Sequence, residues 1–352
     1  MRIDVLAYSL VYLVPISVYF GYWLGGVYTF TTPFLVFGIG PLLDSLIGRD
    51  TSNPTDKRQK VFEAEKLYKV VTIFSAPVHL IVIFWGAYVF CYGDLSLMEQ
   101  IGVILSVGIS SDILGLSAAH EMAHRVNGKI EVTLSKIIYC SVWYMHFGIE
   151  HVVGHHRWVA TPRDPATALL GESIYEFLPK SVFGGFKSAW EFEASRMKKK
   201  NKPVWRMGNP MAVALVGQAA FTVLFAVLFG GLGVLFLFAH NFIAISLLEI
   251  TNYGVHYGLL RQEIEPGKFE PIRPRHSWNS SNWLSNHFLF NIQRHSDHHY
   301  KPGNRYHLLR HYNNVPQLPT GYAAMILMAI IPPLWRKIMD PRALAFRQSR
   351  QD

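Results

Sequence analysis

Asn291–His299 reads NIQRHSDHH, with His295, His298 and His299 at i, i+3 and i+4. On a helix that spacing puts all three imidazoles on one face. Two clusters of the same kind lie upstream. His120 and His124 stand at i, i+4 in HEMAH; His151, His155 and His156 in EHVVGHH repeat the step and add a neighbour, with Gly154 letting the backbone approach closely. His256, four residues after Asn252 at the end of a long apolar run, is a ninth candidate. Neutral imidazole is the commonest metal ligand and suits zinc, copper, iron and nickel. One four-coordinate zinc cannot use nine, so the spacing predicts two metal ions.

The rest of the chain reads as a membrane frame for these boxes. Half of its 352 residues are hydrophobic, and the mean hydropathy is +0.18, too apolar for an ordinary soluble domain. Cys91 and Cys140 make neither a disulfide framework nor a zinc ribbon. The net charge of +9 sits beside apolar spans rather than on a nucleic-acid-binding face, so no nucleic acid is expected. Apolar runs over about 5–25, 27–47, 70–90, 101–119, 211–229 and 232–251 are each long enough to cross roughly 30 Å of hydrocarbon. They pair into three hairpins, the first turning at Gly25–Gly26 and the third at Gly230–Gly233.

Lys and Arg are concentrated after the second, fourth and sixth spans. The positive-inside rule then places both termini in the cytoplasm, with a cap formed by 120–210 and 252–352. Every candidate ligand falls on that side. The expected architecture is an all-α integral membrane protein, one domain over 1–352, with six transmembrane helices and a cytoplasmic histidine-rich cap. Ile130–Ile149 carries Lys136 and reads as an interfacial or re-entrant helix. Gly321–Trp335, broken by Pro332–Pro333, reads as a packed or interfacial one.

HEMAH alone matches a zinc-protease pattern, with Glu121 as base; seven further candidate histidines argue against that reading. A histidine-rich transporter would need polar residues along the spans, and few are present. Asp112 and Glu249 are carboxylates within spans, where charge is expensive and usually functional. With Asp297 and Asp164, they are candidates to accept the free N–H of a ligating imidazole. Asp112, eight residues before His120, is expected on the same helix face. Many imidazoles and few carboxylates suit oxygen chemistry on an apolar substrate taken from the bilayer. Tyr19, Tyr22, Trp23 and Phe37 are candidates to line its channel.

Four segments carry a resemblance: HEMAHR (120–125), EHVVGHHRWVATPRDPATA (150–168), NYGVHYGLLRQ (252–262) and NIQRHSDHHYKPGNRYHLL (291–309). With them, the chain resembles the integral-membrane alkane monooxygenases of the membrane fatty-acid desaturase and hydroxylase superfamily. The resemblance implies a non-haem di-iron centre held by His120, His124, His151, His155, His156, His256, His295, His298 and His299. It implies O2-dependent terminal hydroxylation of n-alkanes to primary alcohols in the bacterial inner membrane, with electrons from rubredoxin and rubredoxin reductase. The family often has glutamate before the histidine of the HYG motif, where this chain has Val255. An aromatic-methyl monooxygenase of the xylene type or a fatty-acyl desaturase is the alternative. Lys198–Lys202, Arg261, Arg273 and Arg275 would form a cationic face for an acidic carrier or for anionic membrane lipid.

Overall fold

The computed structural model describes residues 2–348; Met1 and 349–352, at the ends of the expected 1–352 domain, lie outside the described residues. The chain is mostly helical, and a two-residue-wide hairpin, Glu263–Glu265 with Lys268–Phe269, is the only sheet among the described residues. Five helices are long and apolar enough to cross a membrane: α1 (Val5–Leu24), α2 (Gly26–Ile47), α3 (Leu67–Tyr92), α4 (Leu97–Ala123) and, beyond the helices α5 (Lys129–Ser141) and α6 (Ile174–Lys199), α7 (Pro210–His256). α8 (His295–Tyr300) and α9 (Tyr322–Ala329) follow.

The hairpin turns fall where glycine permits them. Gly25 and Gly26 both take positive φ, 71° and 56°, a region that L side chains avoid. Ser96 opens α4 with a capping box, in which Glu99 returns a carboxylate oxygen to the Ser96 backbone N–H at 2.9 Å. The other Glu99 oxygen accepts the Gly26 N–H at 2.7 Å, tying together two connections that carry no Lys or Arg.

α7 has 47 residues, about 70 Å of helix and more than twice the hydrocarbon thickness. It is broken at Gly230, with φ 65° and ψ −161°. Both limbs lie along α3: Phe229 meets Phe84 and Tyr92, and Phe236 meets Phe90. Spans expected at 211–229 and 232–251 are thus the two limbs of one interrupted run.

α4 is buried along most of its length, whereas little of α2 is. Lipid gives helices no hydrophobic reason to associate, so small residues that let backbones approach do this work. A Cβ at Gly86 would lie 2.8 Å from Phe236 and 2.9 Å from Val107, and one at Gly108 2.7 Å from Ile243. Each glycine therefore sets how close α3, α4 and α7 come. The 130–149 stretch forms α5, a turn at Trp143 with φ 57°, and the short helix Phe147–Ile149. The 321–335 stretch bends by 119° between α9 and Pro332–Gln348.

Candidate metal centre

Each histidine box is carried by a helical element or turn that brings it to the cluster. His120 lies in the last turns of α4 and His124 is its C-cap; His256 ends α7; His295, His298 and His299 share one face of α8. The second box is wound as a π-turn, Glu150–His155. Widened turns of this kind recur at functional sites. Here the turn leads straight into the three-residue helix His156–Trp158, with His151, His155 and His156 all buried.

The nine imidazoles converge in two abutting groups. His120, His124, His151 and His298 form one; His155, His256, His295 and His299 form the other; within each, the nearest ring nitrogens lie within 4.8 Å of one another. His156 joins the first group, its Nε2 at 3.1 Å from Nε2 of His151 and 3.0 Å from that of His298. Other Nε2 pairs stand at 2.7 Å (His120 and His151), 3.1 Å (His256 and His295), 3.0 Å (His295 and His299) and 3.3 Å (His155 and His299).

That geometry fits metal ligation. A metal–nitrogen bond of about 2.1 Å puts neighbouring ligand atoms roughly 3.0–3.4 Å apart. Shared protons alone cannot satisfy so many converging nitrogens, because each neutral ring has a single N–H. His124 Nε2 is buried with no hydrogen-bond partner, its ring edge-on to His120, His151, His156 and His298.

The electrostatics also favour neutral ligands. Burial, then the neighbouring histidines, hold His124, His151, His156, His298 and His299 well below the usual imidazole range; His295 is lowered in the same way. His155 differs. Burial lowers it, but the Asp164 charge and hydrogen bond, aided by Glu150 and Glu249, bring it above the ordinary value. Asp164 Oδ2 accepts from His155 Nδ1 at 2.9 Å, which leaves the Nε2 lone pair facing the cluster. Asp164 is itself braced by Thr167 Oγ1 at 2.6 Å and by the Ala166 N–H at 3.0 Å.

The other three carboxylate candidates touch no imidazole. Glu249 accepts from Tyr144, Ser181 and Asn252. Asp297 accepts from the Arg310 N–H and the Tyr312 hydroxyl. Asp112 was expected on the face of His120, but the π-turn Ser111–Leu116 lies between them and rotates it away. It lines an apolar cavity instead.

That cavity, about 330 Å³, is bounded by α1, α2, α4, α7 and α9. Ser117, Leu248 and Thr251, close in sequence to His120 and His256, line its wall with Val14, Phe37 and Ile292. Of the expected channel residues only Phe37 lines it. Tyr19 and Tyr22 pack on Trp85, where aromatic area is better buried, and Trp23 is 77% exposed. The remaining lining residues follow no sequence signal; most are ordinary apolar residues, drawn from those five helices and from the 284–292 segment.

Residues 98–328 match the fatty acid desaturase family model. Alkane 1-monooxygenase 2 of Pseudomonas aeruginosa is 38% identical over 98% of this chain and 94% of its own length. Alkane 1-monooxygenase 1 of the same organism is 40% identical, covering 97% and 91%. The xylene/toluene monooxygenase hydroxylase component of Pseudomonas putida is 29% identical, covering 69% and 65%. The family match and the likeness to the two alkane 1-monooxygenases across nearly the whole length place the chain in the fatty acid desaturase family, on its alkane 1-monooxygenase branch.

Proposed function

We propose that this protein is an O2-dependent alkane 1-monooxygenase that oxidises the terminal methyl of n-alkanes to primary alcohols. The observation that carries the reading is a buried, double histidine cluster beside an apolar cavity walled by candidate membrane spans. Two iron ions are the proposed occupants, one held by His120, His124, His151, His156 and His298, the other by His155, His256, His295 and His299. Iron there would supply the oxygen-activating redox chemistry that an unactivated C–H bond requires. One oxygen atom enters the product and the other leaves as water, with two electrons and two protons consumed. Rubredoxin and its reductase are the proposed electron source.

The chain's own residues do the rest. Asp164 fixes the tautomer of His155. Leu248, Ile113, Phe37 and Val14 hold an alkane by shape, because no polar group can grip it; cavity length and bulk then set which carbon is presented. Burial under α4 and α7 keeps bulk water from the reacting end. The proposed frame is a single domain of six spans, counting the two limbs of α7 separately. By the positive-inside rule the histidine cap and both termini face the cytoplasm of a bacterial inner membrane. The testing experiment supplies purified protein, loaded with iron, with rubredoxin, reductase, NADH and O2. Octane should give 1-octanol and no turnover should occur without O2. Products from xylene or an acyl-CoA but none from alkanes would refute the substrate assignment.

A further inference from the structure

Arg163 and Asp164 line a surface groove of about 760 Å³, whose other wall is one face of α6. On α6, the groove residues Lys180, Gly184, Lys187, Glu191, Ser195 and Lys199 recur at steps of three or four and so share that face. Phe183 and Phe186, exposed by 73% and 37%, fall on a different flank. Phe192 and Leu169, exposed by 37% and 45%, line the groove together with its charges. Five cations line it against two acids, Glu191 and the buried Asp164. Lys180 and Arg196 are engaged with Glu172 and Glu193. Lys187 reaches Glu191 only at 3.9 Å, in an exposed pair, and Arg163 and Lys199 have no ion pair among the described residues.

The groove leads inward by a short route. Its floor residue Asp164 is hydrogen-bonded to His155, whose Nε2 lies 3.3 Å from Nε2 of His299. Beside it, the guanidinium groups of Arg157 and Arg163 lie 4.8 and 4.6 Å from the ring centroid of Trp158. Trp158 is half-buried and two residues from His156.

We propose that this groove docks an acidic one-electron carrier protein, and that electrons enter beside Trp158, through Asp164 and the His155 ring. The proposal rests on the hydroxylase reading above. Each crossing oxidises the reduced carrier by one electron and reduces the metal centre by one. No atom moves, and two crossings match the two electrons that each hydroxylation consumes. Charge on the rim steers encounter and sets its salt dependence.

The test measures the Kd of rubredoxin for the full chain in nanodiscs by microscale thermophoresis, alongside octane hydroxylation. K187E/K199E and Arg163→Glu should each raise Kd about tenfold or more at low salt, and the wild-type Kd should weaken steeply as salt rises. Arg273, expected from the sequence on the same cationic face, lines a depression with Arg275 that shares no residue with the groove, so Arg273→Glu should leave Kd unchanged. In all variants the rate of reduction by dithionite should stay at the wild-type value. Wild-type turnover with Kd unmoved by both groove changes overturns the docking site while leaving the hydroxylase reading intact. Loss of rubredoxin binding in Arg273→Glu alone also overturns it. So does a groove change that removes stabilisation by phosphatidylglycerol without altering Kd, since the groove would then be a lipid site. Absence of wild-type alkane turnover, by contrast, counts against the hydroxylase reading.

Discussion

Asp164 offers the sharpest perturbation, because it touches one half of the histidine cluster and not the other. Its Oδ2 accepts the His155 N–H at 2.9 Å and the Thr167 hydroxyl at 2.6 Å, in full burial. Among the described residues Asp164 is the only carboxylate hydrogen-bonded to any of the nine rings, so Asp164→Ala leaves His155 free to rotate and to take the wrong tautomer. A buried hydrogen bond to a charged group contributes about 1.5–3 kcal/mol. Partners of this kind change metal affinity by about 10–100-fold, or roughly 1.4–2.8 kcal/mol, and the two ranges agree. The assay is anaerobic titration of metal-free protein with ferrous iron against a competing chelator, fitted to two sites. Affinity should fall 10–100-fold at the site built from His155, His256, His295 and His299. The site built around His120, His124 and His151 should stay within about threefold by the same scale. Thr167→Val keeps the carboxylate and should give a smaller loss at the same site. Equal weakening of both sites, or of neither, would refute the reasoning.

Three further outcomes follow from the same geometry. Leu248→Trp fills part of the 330 Å³ cavity and should shift product formation from hexadecane toward octane, read by gas chromatography of a mixed-alkane incubation; an unchanged chain-length profile would mean the cavity does not hold substrate. Tyr144→Phe removes one of three hydrogen bonds to the buried Glu249 carboxylate and should lower stability by about 1.5–3 kcal/mol, measured by chemical unfolding in detergent. The depressed histidines predict acid sensitivity of the metal-free protein: an unfolded imidazole binds a proton below about pH 6.5, while the folded state keeps His151, His298 and His299 neutral. Their contribution is therefore present above pH 6.5 and lost as pH falls, with His155 alone acting in the opposite sense. The Tm should hold level from pH 8 to 7 and drop from 6.5 downward; a level Tm to pH 5 would contradict it.

How much of this was legible beforehand depended on whether a signal was local. The histidine boxes read directly, because i, i+4 spacing is a local property and α4 and α8 are helical as expected. The glycine turns at Gly25–Gly26 and Gly230 also read directly, since they interrupt long apolar runs. Asp112 was misplaced because a π-turn adds a residue to the helix between it and His120, and no residue type announces that insertion. The aromatic residues Tyr19, Tyr22 and Trp23 of α1 lie off the cavity for another reason. Apolar rings facing lipid, a neighbouring helix or a channel have the same composition; only the packing of Tyr19 and Tyr22 on Trp85 and the exposure of Trp23 separate them. The split of nine rings into two groups depends on distances across four elements, which sequence spacing does not encode.

The central claim is that these rings bind two iron ions, and metal content measures it most directly. Protein purified from iron-supplemented cells and analysed by inductively coupled plasma mass spectrometry should carry about two irons per chain and little zinc. His298→Ala should lower that number and abolish alkane hydroxylation together. A single zinc per chain, or a fully iron-loaded and active His298→Ala protein, would contradict the account.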